Sequence, residues 1–128
     1  MRKRPINLTQ EWLSRADDDE MAADILLKEQ GPPTSICFIA QQMGEKYLKA
    51  FLVFKEQEPP KTHDLIALLE KCALYEPKLA MLKDEAALLT EYVVDTRYPG
   101  NVKEYSSDEA QFALSAAKHI KKVIAEHL

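Results

Sequence analysis

The residues best suited to chemistry lie in two short polar segments, THD at 62–64 and RYP at 97–99. The guanidinium of Arg97 has the fork geometry that binds phosphate through two hydrogen bonds. The ring of Tyr98 is of the kind on which a base stacks. His63 is a candidate proton carrier, because histidine is the side chain whose unperturbed pKa lies nearest neutral pH. These residue types predict a site for a nucleotide or for a nucleic-acid phosphate.

Length and composition limit the kind of protein that carries these residues. The chain has 128 residues, which we interpret as one domain over 1–128, and it is 46% hydrophobic with only three glycines. No apolar run reaches the roughly 20 residues of a membrane span. The formal net charge of −4 argues against indiscriminate binding to nucleic acid, although a small local phosphate site is compatible with it.

Two cysteines and the basic N-terminus bear on localisation. Cys37 and Cys72 lie inside apolar periodic segments without metal-ligand spacing, so we expect buried free thiols in a reducing cytoplasm. The N-terminal MRKR is not followed by an apolar segment, which excludes a secretory signal. The chain also lacks a glycine-rich phosphate loop, a histidine/cysteine cluster and a Ser/His/Asp arrangement, so we expect no metal and no cofactor.

The elements that must position these residues are helices. A 3.6-residue hydrophobic period predicts five of them, at about 9–29, 35–56, 63–75, 78–97 and from 106 onward. Predicted N-terminal signals are Asn7 or Thr9, Thr62, Pro77 and the capping box Ser106–Glu109. Short connections favour antiparallel neighbours. The predicted fold is all-α, an antiparallel up-and-down helical bundle of about five helices.

Alternating helix directions predict that distant residues meet at one pole of the bundle. The end of the fourth helix and the start of the third share that pole, with Lys55 and the start of the first helix beside them. Arg97 follows Val93 by four residues, so it continues the buried face of the fourth helix. Tyr98 precedes a proline, which ends the helix there.

Simpler roles for the same residues remain open. Arg97 could cap helix carbonyls or pair with an acid, and His63 could be a local hydrogen-bonding residue next to an N-cap. His119 and His127 belong to the last helix, where we interpret both as surface residues without evident partners.

Asp19 and Gly44 are anomalies inside apolar helix faces. Asp19 interrupts the apolar stripe of the first helix, and a buried carboxylate must be paired or protonated. Counting residues from the shared pole places Lys46 and Tyr47 at its height, so we predict a bond to one of them. The other acids of DDDE (17–20) are expected to be solvated. Gly44 costs helix stability, which a close helix–helix approach would compensate.

Four sequence blocks, taken together, resemble the HEPN domain family, whose name stands for higher eukaryotes and prokaryotes nucleotide-binding. In chain order they are WLSRADDDEMAADILL, CFIAQQMGEKYLKAFLV, PPKTHDLIALL and YVVDTRYPG. The resemblance implies an all-α bundle that commonly forms a homodimer. It also implies a minimal nucleotidyltransferase as partner, in toxin–antitoxin pairs whose HEPN member is often a metal-independent ribonuclease.

The chain departs from the motif of those ribonucleases, an arginine followed after four to six residues by a histidine. Counting from Arg97, the histidine should fall at 102–104, and those positions are Val102, Lys103 and Glu104. Ile39 also stands where relatives often have a histidine. Cleavage of RNA requires a group that takes the 2′-hydroxyl proton and one that protonates the leaving oxygen. In this chain only His63 is a candidate for that role.

Three hypotheses follow from the sequence. The first is a non-catalytic module that binds a nucleotide or nucleic-acid phosphate and partners a minimal nucleotidyltransferase. Its candidate ligand-binding residues are Arg97, Tyr98, His63, Asp64, Tyr92, Lys46 and Lys49. The second is a divergent HEPN ribonuclease with a site formed across a dimer by Arg97 and His63. The third is a structural partner whose apolar surface serves oligomerisation.

Overall fold

The computed structural model describes residues 5–92 and 104–128, and five α-helices account for most of them. Their bounds are α1 Pro5–Lys28, α2 Pro33–Phe54, α3 Leu65–Ala73, α4 Lys83–Thr90 and α5 Ser107–Ala125, with a 3-10 helix, Pro77–Leu82, before α4. No strand occurs in these residues. The predicted all-α bundle of five helices is therefore confirmed.

Helix α2 is the centre of the bundle and packs against each of the other four helices. Two contacts show that α1 runs antiparallel to α2. Lys46 of α2 pairs with Asp19 of α1, and Lys49, three residues later on α2, contacts Trp12, seven residues earlier on α1. The Lys118–Asp24 and Lys121–Glu20 pairs show that α5 is antiparallel to α1. The α1–α2 pair thus follows up-and-down winding, and α5 runs in the same direction as α2.

Helix α3 departs from that winding. A Cβ on Gly44 would approach Leu65, and the Cys72 thiol donates to the Leu48 carbonyl at 3.5 Å, so residue numbers on α2 and α3 rise together. The ten residues between Phe54 and Leu65 return the chain along α2 before α3 begins. The connection is thus long enough for α3 to cross α2 obliquely in the same sense, whereas a short connection would have enforced an antiparallel hairpin.

Two helices begin at residues other than those predicted. Helix α3 begins at Leu65, and its N-cap is Asp64, whose carboxylate accepts from the amides of Ile66 and Ala67 at 2.9 and 3.3 Å. Thr62, the predicted cap, instead accepts from the Asp64 amide at 3.1 Å. Helix α1 begins at Pro5, so Thr9 is a buried residue inside the helix and not its cap.

The fourth predicted helix, 78–97, is shorter and less regular than its pattern indicated. Its first residues belong to the 3-10 helix, and α4 ends at Thr90, where the Thr90 hydroxyl accepts from the Leu65 amide at 3.1 Å. This contact places the end of α4 beside the start of α3, as predicted. That Arg97 continues a buried face of the fourth helix stays a prediction. Arg97 and Tyr98 lie outside the described residues.

Gly44 has the close helix contacts that the sequence predicted. A Cβ at this position would lie 2.9 Å from Leu65, 3.0 Å from Leu89 and 3.3 Å from Ile120, so three helices converge on it. Both cysteines are buried in the same core and are free thiols, as predicted. Across the described ranges, no helix has the length and apolar run that crossing a bilayer requires.

Candidate functional site

A row of three buried polar side chains lies along one face of α2. Gln41, Glu45 and Lys49 follow each other at intervals of four residues, which places them on the same helix face. Glu45 accepts a hydrogen bond from Gln41 Nε2 at 3.1 Å and one from Lys49 Nζ at 2.9 Å. All three residues are buried. Their polar groups satisfy one another, so the row can be buried in the helix bundle.

His63 connects this buried row to the surface. Its Nδ1 lies 2.8 Å from Glu45 Oε1, and its main-chain carbonyl accepts from Gln41 Nε2 at 3.1 Å. The His63 side chain is nevertheless 72% exposed, whereas the Glu45 side chain is 10% exposed. A buried carboxylate therefore orients an exposed imidazole, whose Nε2 is left for a group outside the protein.

The charge of Glu45 is stabilised by this arrangement. Burial alone would raise its pKa, but hydrogen bonds from Lys49, His63 and Gln41 outweigh burial, and the pKa is lowered from its ordinary value of 4.5. Glu45 is thus a carboxylate at neutral pH, and Lys49 balances its charge. Protonation of His63 would leave the three ionisable groups with a net positive charge, which suits an anionic ligand.

Lys49 extends the row to α1. Its Nζ lies 5.6 Å from the centroid of the Trp12 ring, a cation–π distance, while the same Nζ donates to Glu45. Lys49 is only 7% exposed. In this structure the charge of Lys49 is committed to Glu45 and Trp12, and its role as a ligand contact stays a prediction.

Lys46, the other predicted ligand-binding lysine, has a structural role. Its Nζ lies 2.6 Å from Asp19 Oδ2, which is the partner predicted for Asp19. Tyr47, the alternative partner, donates its hydroxyl hydrogen to Asp17 instead. Glu20 binds Lys121 Nζ at 2.5 Å. Asp17 and Asp18 are exposed, as predicted for the remaining acids of 17–20, but Asp17 and Glu20 also join α1 to α2 and α5.

Two further predicted ligand contacts also have structural roles. Tyr92 is 1% exposed, donates to Glu109 Oε1 at 2.6 Å, and meets the Tyr105 ring edge to face at a centroid distance of 5.0 Å. Its ring is buried in the bundle, and its role as a ligand contact stays a prediction. Asp64 is exposed, but its Oδ1 caps α3.

The location of Lys55 and the partners of the other two histidines also differ from what the sequence predicted. Lys55 follows Glu45 by ten residues, roughly 15 Å along the helix axis, so it does not share the pole of His63. Its Nζ instead lies 5.6 Å from the ring centroids of Phe51 and Phe54. His119 bonds Glu85, and His127 Nδ1 lies 3.5 Å from Glu76, so neither lacks a partner.

Sequence reasoning missed Gln41 and Glu45, which organise the site. Their signal was present as polar residues one helical turn apart in a helix whose other residues are mostly apolar. The predicted pole placed His63 near Lys55 at the end of α2, so nothing connected it with Glu45. The return segment before α3 brings His63 to the middle of that helix instead.

Comparisons with known proteins agree with the helical bundle and with the order of the four sequence blocks. The family model described as HEPN domain matches residues 9–128. An archaeal HEPN homologue, ST0689, is 23% identical, with a TM-score of 0.76 and 98% of each chain covered. TT1696 from Thermus thermophilus is 26% identical, with a TM-score of 0.75 over 94% of this chain and 98% of that one. None of the curated proteins compared matches the chain.

Proposed function

We propose that this chain, which belongs to the HEPN domain family, binds the phosphate of a nucleotide or of RNA at the surface around His63. Membership of the family supports a nucleotide- or RNA-related function in general. The observation that carries the proposal for this site is the exposed imidazole of His63 held by the buried carboxylate of Glu45. The family and the site chemistry point to the same class of ligand.

The electrostatics of the cluster favour an anion once His63 is protonated. Glu45 would repel a phosphate if its charge were free, but Lys49 lies 2.9 Å from it and balances that charge. Glu45 engages Nδ1 of the imidazolium, so the Nε2–H is the donor for a phosphate oxygen. A hydrogen bond between two charged groups is about twice as strong as a neutral one.

The proposed site also includes Arg97 as a phosphate fork and Tyr98 as a stacking residue. Arg97 follows Tyr92 by five positions in the sequence, and α4, which precedes both, ends beside the start of α3. We further propose homodimer formation and a minimal nucleotidyltransferase partner in a toxin–antitoxin-like pair. The motivation is the family membership together with the missing ribonuclease histidine after Arg97.

A second candidate function is favoured by the same geometry. A carboxylate that orients an imidazole through one ring nitrogen leaves the other nitrogen ready to exchange a proton, as general acid–base catalysis requires. His63 held by Glu45 has this arrangement. A divergent, metal-independent HEPN ribonuclease with Arg97 and His63 brought together across a dimer is therefore the alternative.

Calorimetric titration of ATP and of a short RNA at pH 6 and pH 8 tests phosphate binding. We expect tighter binding at pH 6 and a loss of at least about tenfold for His63→Ala, the range of one charged hydrogen bond. His127→Ala is the matched control, since that histidine pairs with Glu76 in a different part of the bundle. The absence of heat with both ligands at both pH values would contradict the proposal.

Labelled RNA incubated with the protein in EDTA separates the two functions. Cleavage that is lost in both His63→Ala and Arg97→Ala supports the ribonuclease. Intact RNA, together with binding in the calorimeter, supports the non-catalytic module.

A further inference from the structure

A surface cavity lies against α1 at Trp12, the residue that contacts Lys49 of the polar row. It has a volume of about 260 Å³ and is lined by Leu8, Glu11, Trp12 and Arg15. These residues recur at intervals of three and four, so they form one face of α1. Lys49, which lies 5.6 Å from the Trp12 ring centroid, is not among the residues that line the cavity.

We propose that Trp12 and Arg15 form a subsite for a nucleobase, with the indole as the stacking platform. This inference rests on the proposed function, because it names the part of the ligand that lies beyond the phosphate at His63. Stacking on an aromatic ring accepts any base, since every base has a π-face. The ligand class is thus a nucleotide or a single-stranded RNA.

The size of the cavity fits a single base. Pockets for drug-sized molecules are about 300–1,000 Å³. The cavity, at about 260 Å³, lies just below that range, so it suits a fragment with one ring system. The remainder of a nucleotide would extend from the cavity along the surface.

Trp12 is held in place before any ligand arrives. The Lys49 ammonium lies 5.6 Å from its ring centroid, and that ammonium is fixed by Glu45. Glu45 also holds His63 at 2.8 Å. The platform for the base and the donor for the phosphate are therefore joined through two residues of α2. Such preorganisation lowers the entropic cost of binding.

Arg15 supplies an exposed positive charge beside the platform. It lies three residues from Trp12, on the same helix face, and among the described residues no ion pair engages its guanidinium. A guanidinium can donate to acceptors on a base edge or stack on the base. Arg15 is accordingly the second contact in the subsite.

Trp12 is the only tryptophan of the chain, so its fluorescence reports on the subsite directly. We expect AMP and adenosine to quench the emission, and ribose 5-phosphate and inorganic phosphate to leave it unchanged. Quenching by the phosphates alone, or no quenching by AMP at concentrations that saturate binding in the calorimeter, would overturn the inference.

Variants extend the test to affinity. Trp12→Leu should raise the Kd for AMP at least about fivefold, the fold-change that corresponds to about 1 kcal/mol of stacking. Trp12→Phe retains a ring and should retain most of the affinity, so it keeps the test valid if Trp12→Leu does not fold. Arg15→Ala should weaken binding while thermal melting stays unchanged. Phe112→Leu, at an aromatic residue 68% exposed on α5, is the control and should bind as the wild type.

The two proposals fail in different ways. If adenosine quenches Trp12 but His63→Ala does not alter AMP affinity, the base subsite stands and the phosphate site at His63 fails. If His63→Ala weakens AMP binding while Trp12→Leu and Trp12→Phe bind as the wild type, the phosphate site stands and the base subsite is refuted.

Discussion

Gly44 on α2 faces Leu65 at the start of α3 so closely that a Cβ on the glycine would lie 2.9 Å from Leu65 Cδ2. Leu89 of α4 and Ile120 of α5 approach the same point at 3.0 and 3.3 Å. The central helix is therefore in contact with three others where its side chain is smallest. The absence of a side chain at this position sets how closely α3 can cross α2.

Gly44→Ala is expected to destabilise the protein. Overpacking of a core costs about 1–3 kcal/mol, whereas alanine returns roughly 1 kcal/mol of helix propensity. Since three side chains must move together, we expect a net loss of about 1 kcal/mol in urea unfolding. The double variant Gly44→Ala/Leu65→Ala should lose less stability than the sum of the losses of the two single variants. Strictly additive losses would show that a methyl group at position 44 does not clash with Leu65.

Glu45→Gln should destabilise the protein at neutral pH, because it leaves the buried Lys49 ammonium without its anion. Breaking a buried ion pair costs about 3–5 kcal/mol. Because the glutamine side chain keeps some of the hydrogen bonds of Glu45, we expect the free energy of unfolding to fall by about 3 kcal/mol. Glu29→Gln, at an exposed position, is the control.

The stability difference between wild type and Glu45→Gln should depend on pH in one direction. The folded-state pKa of Glu45 is lowered from 4.5, so the carboxylate stabilises the fold above the unfolded pKa. The stabilisation is lost as the pH falls through the folded pKa. The difference in unfolding free energy between wild type and Glu45→Gln, measured by urea titration, should therefore shrink as the pH falls below 4.5. A difference that does not shrink at all as the pH falls below 4.5 would argue against an ionic role.

Glu56→Gly is expected to stabilise the protein. Glu56 follows the C-cap of α2 with φ 60°, and the Gln57 amide closes the helix end by donating to the Leu52 carbonyl at 2.8 Å. The left-handed conformation costs a non-glycine residue about 1 kcal/mol. A gain of about 0.5–1 kcal/mol should appear in thermal unfolding. Glu58→Gly, in the same segment but without positive φ, should give no gain.

The cysteines should resist alkylation in the native protein. Burial raises the pKa of Cys37 to about 11 and that of Cys72 to about 12, so both are protonated at about pH 8. Iodoacetamide should modify neither until the chain opens, with both thiols reacting at the rate of unfolding measured by circular dichroism. Rapid labelling of folded protein at the same pH would show that one thiol is accessible.

The sequence was sufficient for features that depend on one helix or on one pair of neighbouring helices. Asp19 could be paired with Lys46 because α1 and α2 are long, adjacent and joined by a short turn, so counting along both gives their relative heights. The close helix contact at Gly44 could be predicted because glycine inside a helix lowers its stability, and tight packing against a neighbouring helix compensates for that loss.

Features that depend on the path of an irregular segment were not predictable. The position of His63 follows from how ten residues return along α2, and no periodicity encodes that path. The N-cap of α3 was misplaced by two residues because Thr62 and Asp64 are both good caps. Asp64 accepts two amide hydrogens, which decides between them.

The spacing of Gln41, Glu45 and Lys49 makes the length of α2 itself a functional variable. Removing one residue between Glu45 and Lys49 would rotate Lys49 and everything after it by about 100° about the helix axis relative to Glu45. The acid that orients His63 and the lysine beneath Trp12 would then point in different directions. We therefore predict that such a deletion breaks the link between His63 and Trp12, although Gln41, Glu45 and Lys49 are all retained.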